Sequence, residues 1–295
     1  MIGLEIRDTL AVAVALDRSG VVRGRAERAV AGDPGDAALA VVGDVAAASD
    51  VAVIGVAAVD PESAAAGAAL AALKSRCAAA LPSDRVATSG TAAAIAEAWI
   101  GAARDTRDVI YLAAGDHTIA GIVRAGAPFV GAHGRAPSVE WMALNPVERE
   151  DYRKIGCLEA EVAAPGIVRR LVWRIKSGDD SRVREMVNGD LTAVTIDHVL
   201  DAARGKDGVA ISVMRDTARY LGMAAANLVV ITDPDALVLG GIIASADDLL
   251  FEPVRVEIAR RLPEPMLNTL AMVPAALGPD AAAIGAARLA AVARP

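Results

Sequence analysis

A short polar turn between two apolar runs is the first place in this sequence where chemistry is expected. The runs cover residues 109–114 and 119–123, and apolar runs of this length bounded by small polar residues are typical of buried strands. The turn between them consists of Gly115, Asp116, His117 and Thr118. Two strands joined by such a turn form a hairpin whose backbone N–H groups can cradle a phosphate. The sequence therefore predicts an anion-binding hairpin here.

Two further segments carry carboxylates downstream of this hairpin: Glu140, and Gly156-Cys157-Leu158-Glu159. The layout resembles the ROK family of bacterial sugar kinases and transcriptional repressors, which has the actin-like ATPase fold. In that family a GTGIGAG hairpin binds phosphate, an ExGH motif holds the sugar, and a CxCGxxGCxE motif binds structural zinc. The corresponding segments here are residues 115–121, 140–143 and 150–159.

The resemblance runs from Ile2 to Ala293 and implies the fold. We expect an α/β chain with a two-domain actin-like ATPase (ribonuclease H-like) fold, in which mixed sheets are flanked by helices. The N-terminal domain would comprise residues 1–107 plus the C-terminal helix 280–295, and the C-terminal domain residues 108–279.

The hydrophobic pattern gives elements consistent with this fold. It predicts three antiparallel strands at the N-terminus and a C-terminal half rich in helices. Predicted strands are residues 2–7, 10–16, 21–30, 51–59, 109–114, 119–123, 236–239 and 272–276; predicted helices are 36–48, 61–81, 166–175, 181–187, 191–204, 207–230 and 251–262, with a last helix closing the chain.

The resemblance also implies binding residues. Glu140 and Glu159 match the two carboxylates that accept hydrogen bonds from sugar hydroxyls in the family, so we expect them to bind substrate. The positions that match the family's cofactor-binding positions are Thr9, Gly115, Gly121, Gly240 and Gly241.

Other positions depart from the family pattern. Arg7 replaces the glycine of the first phosphate motif, where a side chain would close the approach of phosphate to the backbone. Ile119 replaces the inner glycine of the hairpin. Ala143, Glu150 and Tyr152 replace three zinc ligands, which leaves Cys157 as a small core residue and predicts no zinc.

Ser89 stands where the family has its catalytic aspartate, the base that takes the proton from the sugar hydroxyl. A serine hydroxyl is not basic near neutral pH and needs an activating partner. A structural interpretation of Ser89 is the N-cap of the following helix. Asp84 and Glu97 are the acids near Ser89 in sequence that could substitute as a base.

Because of these departures, we predict that the chain has no catalytic residue. It would be a pseudokinase, a non-catalytic protein that senses a sugar or interacts with a partner protein. The alternative is an ATP-dependent hexose kinase, which alone would bind ATP and Mg²⁺. A second alternative is a ROK-type transcriptional regulator that acts without a DNA-binding domain of its own, since no helix-turn-helix precedes Met1. Asp116-His117 and the segment 219–222 favour the repressor branch.

Composition narrows the class of partner. The 295 residues carry a net charge of −7, which argues against a broad nucleic-acid-binding surface. The sequence contains no apolar run of the roughly 18 residues that cross a bilayer and no signal-type N-terminus, so we expect a cytoplasmic protein without membrane contact. Two cysteines provide no disulfide framework. The family resemblance implies a homodimer.

Overall fold

The structure is a computed structural model that describes residues 1–46, 53–77, 80–81 and 86–293. The elements that precede the hairpin are β1 (Ile2–Ile6), β2 (Leu10–Leu16), β3 (Val22–Ala29), α1 (Pro34–Ala46), β4 (Ile54–Ala58), α2 (Ala64–Cys77), β5 (Ala87–Thr88) and α3 (Ser89–Trp99).

The hairpin and the helical region follow. Their elements are β6 (Val109–Ala114), β7 (Thr118–Arg124), β8 (Ala127–Pro128), α4 (Glu150–Ile155), α5 (Cys157–Val162), α6 (Ala164–Lys176), α7 (Val183–Met186), α8 (Ile196–Arg204), α9 (Gly208–Thr232), β9 (Ala236–Gly241), α10 (Ile242–Ser245), α11 (Phe251–Ala259), α12 (Glu264–Thr269), β10 (Ala271–Pro274) and α13 (Ala281–Val292). Single turns of 3₁₀ helix occur at Val139–Trp141, Leu191–Ala193 and Gly278–Asp280.

The first sheet has the order β3-β2-β1-β4-β5. The pairs β1–β2 and β2–β3 are antiparallel, which confirms the three antiparallel strands predicted at the N-terminus. The pairs β1–β4 and β4–β5 are parallel. Helices cover both faces of this sheet. Successive side chains of a strand point to opposite faces, so each strand packs against two separate sets of helices.

One face of the sheet carries branched side chains and the other carries small residues. Ile2, Leu4 and Ile6 pack with α1 and α2 in one buried cluster. The opposite face meets α13, and a Cβ added to Gly3 would lie 1.7 Å from the Ala283 carbonyl oxygen. Glycine is therefore required at Gly3 for the backbones of β1 and α13 to approach so closely. The alanine-rich composition thus forms a core of closely packed backbones.

The second sheet has the order β10-β9-β6-β7-β8. Its β7–β8 pair is antiparallel and its β9–β10 pair is parallel, so this sheet is also mixed. Among the helices, the 25-residue α9 packs against α5, α6, α8 and α11. None of the helices in the described part of the chain combines the length and the apolar character needed to cross a bilayer.

The described residues separate into two compact units. One comprises Met1–Tyr111, Ala120–Pro137 and Ala275–Pro295, and the other Leu112–Ile119 and Ser138–Pro274. The domain limits that the resemblance implies, at residues 107/108 and 279/280, remain a prediction.

Several predicted boundaries were wrong. The helix predicted from residue 61 begins at Ala64, because Ser63 Oγ accepts the Ala66 N–H and caps it there. The strand predicted over 51–59 covers Ile54–Ala58, and residues 51–52 lie outside the described part. Residues 191–204 are not one helix. Thr195 precedes α8 as its N-cap, where its own N–H donates to His198 Nδ1.

Candidate functional site

Arg7 lies in the turn between β1 and β2, and its guanidinium is held by neighbouring groups. Arg7 Nε and Nη2 donate to Glu5 Oε2 at 2.8 and 2.6 Å, and Nη2 also donates to the Pro279 carbonyl oxygen. Glu5 is buried, at 4% exposure. The Arg7 guanidinium therefore supplies the hydrogen bonds that water would give to an exposed carboxylate. Thr9 follows in the same turn; it is exposed, and its carbonyl oxygen accepts the Val30 N–H at 2.8 Å.

Ser89 is the first residue of α3 and is completely buried. The prediction that Ser89 is the N-cap was wrong, because Thr88 occupies that position and its hydroxyl accepts the Thr91 N–H at 3.1 Å. Ser89 Oγ has no hydrogen-bond partner among the described residues. The described residues, which do not include Asp84, thus supply no group that would activate this hydroxyl.

Glu97 lies on the same helix and has a structural role. Its carboxylate is completely buried and accepts the backbone N–H groups of Ala102 at 2.7 Å and of Ala276 and Leu277, each at 3.0 Å. These bonds tie the end of α3 to the segment before α13. Three backbone donors already hold its carboxylate, which argues against Glu97 as a substitute base. Asp84 lies outside the described residues.

The hairpin turn between β6 and β7 holds an internal carboxylate. Thr118 N–H donates to Glu159 Oε2 at 2.6 Å, and His117 Nδ1 lies 2.9 Å from Glu159 Oε1. Gly115 N–H donates to the His117 carbonyl oxygen at 2.9 Å, and the Gly115 carbonyl oxygen accepts the Ala164 N–H at 2.7 Å. Two backbone donors of the turn are thus engaged, one of them by the side chain of Glu159.

The contact between His117 and Glu159 was missed from the sequence. The two residues are 42 positions apart, on a turn and on a short helix, and no periodic pattern relates such positions. From the sequence alone, His117 is expected to be a solvated or locally bonded residue without a special role. Only tertiary packing brings the two side chains together.

Glu140 and Glu159 lie on segments that pack against each other. Glu140 is half-buried in the 3₁₀ turn Val139–Trp141. Gly156 immediately precedes α5 with a φ of +93°, and a Cβ there would lie 2.1 Å from the Glu140 carbonyl oxygen. Only glycine combines this backbone conformation with so close an approach. The two candidate sugar ligands are therefore supported by one packed segment.

The segment that resembles a zinc motif contains a polar network instead. Tyr152 OH donates to Glu161 Oε1, Arg149 Nη1 donates to the same oxygen at 3.0 Å, and Arg170 Nε lies 3.6 Å from Glu161 Oε2. Cys157 is buried and packs with Tyr152, as predicted for a small core residue. The described residues contain no group of three or more side chains suited to holding a metal ion.

Three glycines predicted to bind cofactor have different surroundings. A Cβ at Gly121 would lie 2.1 Å from the Gly90 carbonyl oxygen, so Gly121 permits β7 to approach α3. Gly240 is buried near the end of β9. Gly241 follows it with a φ of +62°, and a Cβ there would lie 2.0 Å from the Ala114 carbonyl oxygen. At Gly121 and Gly241 close packing of backbones is sufficient reason for glycine.

An open groove of about 580 Å³ lies beside the hairpin turn. Its wall includes Asp116 of the turn, Arg169 and Lys176 of α6, and Thr192 and Thr195 before α8. Apolar residues of α6 and of the segment 191–196 complete the lining. The groove is wide open to solvent and combines apolar with charged groups.

Comparison with known proteins gives matches in two functional groups. The ROK family model matches residues 66–293. A glucokinase from Halalkalibacterium halodurans is 31% identical over 197 residues, which cover 65% of this chain and 59% of the relative. The DNA-binding transcriptional dual regulator NagC from Escherichia coli is 31% identical over 162 residues, which cover 55% of this chain and 38% of the relative. The chain therefore spans less than two thirds of the length of either relative.

Structural comparison identifies the fold. The crystal structure of a ROK family glucokinase from Streptomyces griseus, in complex with glucose and AMPPNP, matches with a TM-score of 0.81 at 24% identity and covers 99% of both chains. The predicted actin-like ATPase fold, α/β with mixed sheets flanked by helices, is confirmed. The relatives include kinases and repressors alike, so they do not favour the predicted repressor branch.

Proposed function

Because this chain belongs to the ROK family, we propose that it is a sugar-binding pseudokinase with a regulatory role. The observation that carries this proposal is Ser89, which stands at the position of the family's catalytic aspartate. Its hydroxyl is completely buried and has no hydrogen-bond partner among the described residues. Loss of a general base removes roughly 10²- to 10⁴-fold in rate.

One further feature supports a loss of phosphoryl transfer. The Arg7 guanidinium is held against buried Glu5 in the first turn, where the family has a glycine that lets phosphate approach the backbone. Since phosphoryl transfer depends mainly on positioning and electrostatic stabilisation of the phosphates, a side chain at this position opposes it.

Sugar recognition would rest on Glu140 and Glu159. A carboxylate has four lone-pair sites, so Glu159 can hold the hairpin and still accept a hydroxyl. Glu140 is half-buried, which leaves part of its side chain accessible to a ligand. The glucokinase from Streptomyces griseus was crystallised with glucose, so glucose and related hexoses are the first sugars to test. The proposal also includes that the chain forms a homodimer and binds a partner protein.

One observation favours the alternative of an ATP-dependent hexose kinase. The open groove beside Asp116 carries the cations of Arg169 and Lys176, which would attract the phosphates of a nucleotide. In that alternative the cofactor-binding residues would be Thr9, Gly115, Gly121, Gly240 and Gly241, with Mg²⁺ bound alongside ATP. The second alternative, a ROK-type transcriptional regulator, shares the sugar site and differs in its partner.

Thermal melting of the purified chain tests the pseudokinase proposal against the two alternatives. The panel comprises glucose, other hexoses, N-acetylglucosamine and their phosphates, each with and without Mg-ATP, and ADP release is measured in parallel. A ligand that binds only the folded state raises Tm by mass action. We expect one class of sugar to raise Tm and no sugar to stimulate ADP release. Sugar-stimulated ADP release would contradict the pseudokinase proposal and establish the kinase alternative.

A further inference from the structure

The α5 helix is held by one glutamate on each of two opposite faces. It has six residues, Cys157–Val162, and a helix this short is not stable without tertiary contacts. Glu159 and Glu161 are two positions apart, which places them about 200° apart around the helix axis. Glu159 contacts the hairpin turn, whereas Glu161 contacts α4 and α6.

Glu161 is a buried carboxylate with several donors around it. It is 2% exposed and receives Tyr152 OH, Arg149 Nη1 and the charge of Arg170. Burial, followed by the hydrogen bond to Glu161, raises the pKa of the Tyr152 phenol, so Tyr152 remains a donor. Asn145 Nδ2 lies 3.1 Å from both Tyr152 OH and Tyr220 OH and extends the network to α9.

The C-terminal carbonyl groups of α5 are held by the same network. Arg169 Nη2 donates to the Ala160 carbonyl oxygen at 2.8 Å, and Arg170 Nη2 donates to that of Glu161 at 2.7 Å. Arginine groups at a helix C-terminus satisfy its unpaired carbonyls and oppose its negative dipole end. Arg169 also pairs with Asp151 of α4 at 2.9 Å. Both the side chain of Glu161 and the end of its helix are therefore fixed to α6.

We infer that Glu161 is a positioning residue for the sugar site: its network fixes the orientation of α5 and thereby keeps Glu159 on the hairpin turn. The ligand part of this inference rests on the proposed function, whereas the link from Glu161 to the hairpin does not. A change at Glu161 alters the His117–Glu159 contact on the opposite face of α5. Tyr152 belongs to the same hydrogen-bond network, because its hydroxyl is the donor nearest to Glu161 Oε1.

The test uses the full chain with Glu161→Gln and Tyr152→Phe. Glu161→Gln keeps the shape of the side chain but leaves Arg149 and Arg170 without their common counter-charge. Tyr152→Phe removes one hydroxyl and keeps the ring. The matched control is Glu257→Gln on α11, since Glu257 also pairs with two arginines, Arg260 and Arg261.

The first readout is the imidazole NMR spectrum, which is simple because the chain has three histidines. His133→Gln and His198→Gln identify the His117 resonances by elimination. We expect the His117 resonances to move in Glu161→Gln and, less, in Tyr152→Phe, and to stay in place in Glu257→Gln. Circular dichroism verifies that each variant is folded; if Glu161→Gln does not fold, Tyr152→Phe decides the outcome.

The second readout is the affinity for glucose and N-acetylglucosamine as probe sugars. We expect both folded variants to weaken binding of the sugar that the wild type binds, by roughly two- to thirtyfold. Unmoved His117 resonances in the folded variants would overturn the inference and leave Glu161 with a purely structural role. If neither sugar binds the wild type, the sugar proposal is weakened while the His117 resonances still decide the positioning role.

Discussion

Ser89 and Arg7 are the two residues on which the proposed loss of catalysis depends. Ser89 is neutral and buried at the start of α3, a place where the positive end of the helix dipole would favour a carboxylate. Arg7 brings a cation into the first turn, and Glu5 already neutralises it.

The residue-scale prediction is that Ser89→Asp does not create a glucokinase. The variant places a carboxylate at the family position of the base, but under the proposed function Arg7 and Ile119 still replace two glycines that let phosphates approach the backbone. We expect no glucose-stimulated ADP release from Mg-ATP, measured with a coupled assay at several enzyme concentrations. Ser89→Asn is the neutral control of similar size. Robust turnover by Ser89→Asp would refute this account of the phosphate site.

At the scale of elements, small residues decide how closely helices and strands approach. Gly90 of α3 and Gly121 of β7 face each other, and a Cβ on Gly90 would lie 2.0 Å from the Ala120 carbonyl oxygen. On the far side of α3, a Cβ on Gly285 would lie 1.7 Å from the Ala92 carbonyl oxygen. The α3 helix is therefore packed between two backbones, and its orientation depends on the absence of side chains at both contacts.

The element-scale prediction concerns Gly121→Ala. The added methyl group would lie 2.1 Å from the Gly90 carbonyl oxygen, so β7 or α3 must shift, and we expect the free energy of unfolding to fall by about 1–3 kcal/mol. Urea denaturation followed by circular dichroism measures it.

Gly43→Ala is the control for this substitution. Gly43 is exposed within α1 and has nothing within 4 Å of its added Cβ, so alanine there should raise stability by about 0.5–1 kcal/mol. An unchanged stability in Gly121→Ala would show that the contact between β7 and α3 tolerates a side chain.

At the scale of the whole molecule, the chain keeps the family fold while its polar groups differ. The match to the glucokinase from Streptomyces griseus extends over 99% of both chains at 24% identity. In the segment that resembles the zinc motif, the described residues hold a network of arginine, tyrosine and carboxylate groups around Glu161. Buried charges of this kind are stable only when each is paired, and removing one partner is strongly destabilising.

The whole-molecule prediction is that folding does not depend on zinc. Because the network around Glu161 supplies the cross-links between α4, α5, α6 and α9, we expect the Tm to be the same after dialysis against EDTA as after addition of zinc. Elemental analysis of the purified protein provides the control for residual metal. A lower Tm in EDTA that zinc restores would contradict the prediction of a chain without structural zinc.

The sequence by itself determined the fold and the position of each motif. Apolar runs with period-two or helical spacing indicated where most strands and helices occur, although several boundaries differed, and the order of the hairpin, Glu140 and Glu159 identified the ROK pattern. The residue types at Ser89 and Arg7, on which the proposed loss of catalysis depends, are also read directly from the sequence. These features depend on local pattern and on order along the chain.

Only the tertiary structure decided what each polar group contacts. In the structure, Glu159 contacts His117 and Thr118, and Glu97 accepts backbone N–H groups of the segment before α13. Glu161 contacts Tyr152, Arg149 and Arg170. The structure also showed that Thr88, and not Ser89, caps α3. The partners of a buried carboxylate are chosen by packing between elements distant in sequence, and a buried charge must find such partners wherever the fold places them. These contacts between distant residues produce no periodic pattern in the sequence from which they could be predicted.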